Sequence, residues 1–141
     1  MQVFISHIDP DKNLAKELGA QLGEAGFNVW NPYEKIYPGD NWEKETGKAL
    51  EDSEIMAVLL TRAACGSETL LRHVQFALTS GNYRGKVVPV LVNMPTYEAG
   101  RDIPWILVRM NPVHVDPAVE GWSKVVQRVQ SLAEKSYHAA D

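Results

Sequence analysis

Apolar and polar positions along this chain change their spacing repeatedly, and each change predicts an element. Gln2 to Ser6 is a short apolar run, followed by Asp9-Pro10, which reads as an N-cap with proline at the first helical position. Leu14, Leu18, Leu22 and Ala25 then recur at helical spacing, with Lys12, Lys16, Glu17 and Glu24 on the other faces, so a helix is predicted to stop near Gly26. Residues 27–30 are strand-like but short, and residues 31–39 form a proline-bounded loop rich in large side chains, the kind of loop that serves as a binding element. Asp40 and Glu43 have the form of a capping box opening a helix to about Glu51, with Trp42, Ala49 and Leu50 as its apolar side.

Residues 55–60, IMAVLL, are continuously apolar, which suits a strand buried on both faces at the centre of a parallel sheet. Ser67 can cap the next helix, with Leu70, Leu71, Val74, Ala77 and Leu78 as core positions and Thr69, His73 and Phe76 as a second stripe on its flank. Residues 86–92 are a further buried strand, and Pro89 argues for a place near the sheet edge because it cannot donate a ladder hydrogen bond. After a turn-rich loop come one helical turn around Trp105, a weak strand at 112–115, and a final helix marked by Trp122, Val125, Val126, Val129, Leu132 and Ala133. Trp30, Trp105 and Trp122 are expected in the core, and Trp42 in the core or in a cleft.

Strand and helix alternate without repeat or linker, so the expected fold is α/β: a flavodoxin-like doubly wound parallel sheet with right-handed crossovers and helices on both faces. Residues 1–135 read as a single domain and 136–141 as a frayed tail. Such sheets bind ligands beyond the carboxyl ends of their strands. That places Ser6 and His7, the loop of residues 30–39, and the segment from Thr61 into the helix of His73 around one cleft.

Composition narrows the function classes. The chain has 141 residues, 45% of them hydrophobic, enough for one self-sufficient core. Its net charge of −4 is scattered, with no basic run, which argues against nucleic acid as partner. Cys65 is the only cysteine, which excludes an intrachain disulfide and a multi-cysteine metal site and fits a reducing, cytoplasmic setting. No apolar run approaches the ~18 residues of a membrane span, and residues 1–6 lack the pattern of a signal peptide. No His, Asp, Glu or Cys grouping has metal-ligand spacing, and no glycine-rich phosphate fingerprint follows Ser6. Cys65 reads as a small loop thiol, His114 and His138 as structural or exposed. A phospho-receiver is disfavoured because Ser6-His7 and Thr61-Arg62 stand where its acidic residues would cluster.

The blocks VFISH, GFNVWNPYEKIYPGDNW, EIMAVLLTRAACGSE and FALTSGNYRGKVVPVLV, in this order, resemble a Toll/interleukin-1 receptor (TIR) domain of the short, prokaryotic type, over nearly the whole chain. The resemblance implies a five-stranded sheet of order 2-1-3-4-5, assembly with itself or another TIR domain through the loop after the second strand, and in many members NAD cleavage or a signal made from it, often in defence. By position, Tyr33, Glu34, Lys35, Tyr37, Pro38 and Gly39 match the assembly loop. Ser6, His7, Lys35, Trp42 and Thr69 are the implied nucleotide-contacting residues, with NAD as ligand or substrate and no cofactor required.

The departure lies on the helix after the third strand, where NAD-cleaving members carry a tryptophan and, four residues later, a catalytic glutamate. Thr69 and His73 take those positions here. Cleaving the nicotinamide bond leaves an oxocarbenium-like ribose, which a fixed anion stabilises and a neutral imidazole does not. Glu68 lies about 140° around the helix from His73 and does not share its stripe. Two readings therefore stand side by side: an assembly module whose cleft has altered chemistry, and an active NAD glycohydrolase or cyclase switched on by oligomerisation or by a partner that supplies the carboxylate.

Overall fold

The computed structural model describes residues 1–31, 39, 41–94 and 105–140. In chain order the elements are β1 (Gln2–Ser6), a 3-10 turn (Asp9–Asp11), α1 (Lys12–Glu24), β2 (Asn28–Trp30), α2 (Trp42–Asp52), β3 (Ile55–Leu60) and α3 (Glu68–Thr79). They continue with β4 (Val87–Val92), the single turn α4 (Trp105–Val108), β5 (Val113–Val115), the short α5 (Pro117–Glu120) and α6 (Ser123–Ala140). The strands form one all-parallel sheet in the order β2-β1-β3-β4-β5, as expected.

The period of two along each strand sorts the core into two halves. Val3, Ile5, Ile55, Ala57, Leu59, Val88 and Val90 face α1 and α6, where they meet Leu18, Leu22, Trp122, Val125 and Val129. Phe4, Met56, Val58, Leu60, Val87 and Leu91 face the opposite way, onto Ala49 and Leu50 of α2, Leu70, Val74 and Ala77 of α3, and Leu107. β3 is the central strand and every one of its residues is buried, which is why it reads as an unbroken apolar run. β4, with Pro89 in it, lies one strand in from the β5 edge and is paired on both sides.

Helix ends depart from the sequence expectation in instructive ways. Asp9 and Pro10 open the 3-10 turn and not α1; Ile8 takes the cap position, and no side chain caps the turn. The cap of α2 is Asn41, whose side chain accepts a hydrogen bond from the Lys44 amide at 3.1 Å, so the helix starts one residue later than a cap at Asp40 would place it. Ser67 does cap α3, accepting from the Leu70 amide. α3 ends at Thr79 with Ser80 as its C-cap, two residues before Gly81.

Four aromatic and aliphatic assignments change as well. Trp105 is 67% exposed, with the Arg109 guanidinium 5.7 Å above its ring, and so stands outside the core. Trp42, at the start of α2, and Leu78, near the end of α3, are both exposed. Ala25 likewise lies beyond the buried stripe of α1, as its C-cap.

Tyr83 was not marked as core by its spacing, yet it is fully buried. Its hydroxyl donates to the Leu50 carbonyl at 2.8 Å, and burial pushes its phenol above the ordinary tyrosine range. The Ser53 hydroxyl donates to the Ala49 carbonyl and the Asn82 amide to that of Glu51. Three successive carbonyls at the end of α2 thus each accept from a side chain, that of Ala49 in addition to the Ser53 amide of its own helix end.

Candidate functional site

The candidate site lies at the carboxyl ends of β1 and β3, beneath the flank of α3. Ser6 is the last residue of β1 and pairs in register with Val58. Because Phe4 and Ser6 are two residues apart on a strand, both point to the α2/α3 side of the sheet. Ser67 sets the start of α3, and the helical repeat then carries Leu70, Val74 and Ala77 into the core and leaves His73 on the edge of the packed face.

This geometry brings Ser6 and His73 together: Ser6 Oγ lies 2.8 Å from His73 Nδ1. The imidazole also packs edge-on against Phe4, with ring centroids 5.2 Å apart at 80°, and Phe4 in turn stacks on Trp30 at 5.4 Å and 11°. Partial burial, with a smaller effect from His7, pushes the His73 pKa down from 6.5 to about 4, so the ring is neutral at physiological pH. His7, buried just past β1, donates from Nδ1 to the Ile5 carbonyl at 3.1 Å.

The turn between β3 and α3 is tied down from beneath. The Thr61 hydroxyl donates to the buried Asp11 carboxylate at 2.7 Å, and the Ala64 amide donates both to Thr61 Oγ1 and to the Thr61 carbonyl. Cys65 in that turn is partly buried and lies 3.9 Å, sulfur to sulfur, from Met94. The cleft floor is therefore a rigid join of β1, the 3-10 turn and β3.

Of the residues singled out in the sequence, the structure joins Ser6, His7 and His73 and leaves others apart. Thr69 is exposed one turn before His73 on α3, and Trp42 is exposed at the start of α2. His73 hydrogen-bonds Ser6 and packs on Phe4, and neither Thr69 nor Trp42 hydrogen-bonds it. Gly39 is exposed with φ +95, a conformation that suits glycine. Tyr33, Glu34, Lys35, Tyr37 and Pro38 lie outside the described residues. Glu68 points to solvent, with its side chain 87% exposed and 4.0 Å from Arg72, and Glu43 is also exposed. Among the described residues, no carboxylate bonds to His73 or Ser6.

Sequence reasoning missed Phe4 and Asp11 as parts of this site, and read Trp30 both as core and as the start of the cleft loop. The alternation Phe4-Ile5-Ser6 was a usable signal for Phe4, since it places Phe4 on the same face as Ser6. Nothing local marked Asp11, whose partner Thr61 is 50 residues away. Among the described residues, no group of three His, Cys, Asp or Glu is placed to hold a metal ion, and no helix is long and apolar enough to cross a membrane.

A parallel sheet of order 2-1-3-4-5 defines a flavodoxin-like α/β domain, and the Ser6–His73 pair lies by its topological switch point, between β1 and β3. The family model for the TIR domain matches residues 3–122, and the chain belongs to that family. Among solved structures, it is similar to a metazoan TIR-STING receptor from C. gigas in complex with 2',3'-cGAMP, at a TM-score of 0.68 and 17% identity, over 90% of this chain and 38% of that one. It is also similar to the TIR domains of the activated Roq1 resistosome, which directly recognises the pathogen effector XopQ, at a TM-score of 0.60 and 19% identity, over 94% and 81% of the two chains. At those identities the likeness is one of fold, and the chain spans well under half of the TIR-STING receptor. No curated protein matches.

Proposed function

We propose that this TIR domain is a signalling module that works by TIR–TIR assembly through the loop of residues 33–39, and that its cleft holds an NAD-type nucleotide without the usual cleavage chemistry. The observation that carries the second half is the Ser6–His73 pair. A neutral ring committed through Nδ1 to a buried serine sits on the helix flank where the family's catalytic glutamate is expected. Losing one preorganised group at a transition-state charge costs about two to three orders of magnitude in rate. Neither Glu68 nor Glu43 stands in for it, because both side chains are turned to solvent. The fold of the Roq1 and TIR-STING TIR domains supports the module's general role, and NAD enters as the ligand class of the family.

The test is to hold the purified protein at high concentration with NAD and follow free nicotinamide, beside His73→Glu. No release by the wild type is expected, with measurable release from the variant as the favourable sign of a cleft that still seats NAD. Sustained turnover by the wild type would establish the enzyme reading in its place. Assembly is tested separately by sedimentation of Tyr37→Ala and Gly39→Ala, which should shift the concentration dependence of self-association. Wild type that stays monomeric at every concentration, alone and with another TIR domain, would defeat the assembly proposal.

A further inference from the structure

The Ser6–His73 hydrogen bond reveals where its protons lie. Ser6 is 0% exposed, and among the described residues its hydroxyl has no acceptor besides His73 Nδ1. Leaving a buried hydroxyl without an acceptor costs about 1–3 kcal/mol, so the O–H is directed at Nδ1. That nitrogen can accept only if it is bare, and a neutral imidazole with a bare Nδ1 carries its proton on Nε2. The alternative, Nδ1–H donating to Ser6 Oγ, strands the serine proton inside the protein.

The ring is also held in orientation. Ser6 anchors one nitrogen, and Phe4, itself stacked on Trp30, closes one side of the ring. Nε2 bonds to no described residue. It is thus a hydrogen-bond donor whose direction is set by the protein and whose partner is left to a ligand. A carboxylate in the same place would be an acceptor bearing a full negative charge; the sign of the interaction is reversed.

We propose that His73 is a specificity-determining residue, its Nε2–H a fixed neutral donor that selects nucleotides offering an acceptor and bearing no positive charge at that point. Resting on the nucleotide-cleft reading above, this makes reduced dinucleotide or a ribose-terminated nucleotide the preferred ligand over the cationic nicotinamide form. A carboxylate would favour the cation by Coulomb attraction, whereas a neutral donor gives it nothing and meets the outward N–H dipole with the wrong sign.

Two measurements test this on the folded protein. In the first, long-range proton–nitrogen correlation on histidine-labelled protein at pH 7 should show His73 as the Nε2–H tautomer, and Ser6→Ala should weaken that preference. An Nδ1–H tautomer in the wild type would overturn the inference whatever the cleft binds. In the second, NADH, ADP-ribose and NAD are titrated calorimetrically, with thermal unfolding confirming that each variant is folded. The first two should bind on the order of tenfold more tightly than NAD. His73→Gln, which keeps a neutral N–H, should retain that order, and His73→Glu should reverse it. Equal affinities, or a preference for NAD in the wild type, would overturn the selection while leaving a nucleotide cleft in place. Binding of none of the three would defeat the cleft reading itself.

Discussion

His73 links proton binding to folding. Its pKa falls from 6.5 in the unfolded chain to about 4 in the fold, so between those values the unfolded state binds the extra proton. The contribution is full above pH 6.5 and is lost as the pH falls toward 4. By pH 5 the loss amounts to about 2 kcal/mol. Urea unfolding of the wild type at pH 7 and pH 5, beside His73→Gln, isolates it: the variant lacks this titration and should lose about 2 kcal/mol less over the same interval. An identical loss in both proteins would mean that His73 titrates normally. Nothing in the sequence announced this shift, since His73 was legible as a flank residue of a helix but its seat on Ser6 and Phe4 requires residues 67 and 69 positions away to meet it.

Elements were the most legible level, and their ends the least. β1, α1, β3, α3 and β4 follow from apolar spacing because each buries most of one face or both. Caps were harder: Ser67 was visible, whereas Asp40 and Asn41 compete for one position, and only the backbone geometry decides between them. Asn41→Ala should cost about 1 kcal/mol by removing the bond to the Lys44 amide, measurable as a lower urea midpoint, while Glu43→Gln should change little. The other end of α2 is held by chain-distant groups that no local pattern displays. Tyr83→Phe leaves the Leu50 carbonyl buried and without that donor, so a loss of about 1–3 kcal/mol is expected in the same assay. An unchanged midpoint would show that the carbonyl finds another donor.

At the scale of the molecule, the all-parallel sheet was readable because strand and helix alternate, whereas its strand order came from the resemblance to TIR domains. What was not readable is which cleft residues touch, since that depends on the packing of α3 across β1 and β3. Two valines separate fold from site. Val58 pairs with Ser6 and faces α3, while Val90 faces α1 and α6, and both are fully buried. Val58→Ala and Val90→Ala should each cost roughly 1.5–3 kcal/mol in unfolding experiments. Only Val58→Ala should also move the nitrogen signals of His73, and an equal response to Val90→Ala would show the two faces to be coupled.

The sheet therefore acts as a partition between two histories. Side chains toward α1 and α6 can exchange with one another over generations under selection chiefly for volume, because the Ser6–His73 pair and Phe4 lie on the other face. Those toward α2 and α3 change under the eye of whatever ligand the cleft serves. Adjacent residues of one strand, such as Leu59 and Leu60, should then drift at different rates, and aligned relatives of this chain would show it as a two-residue rhythm of variability along β3.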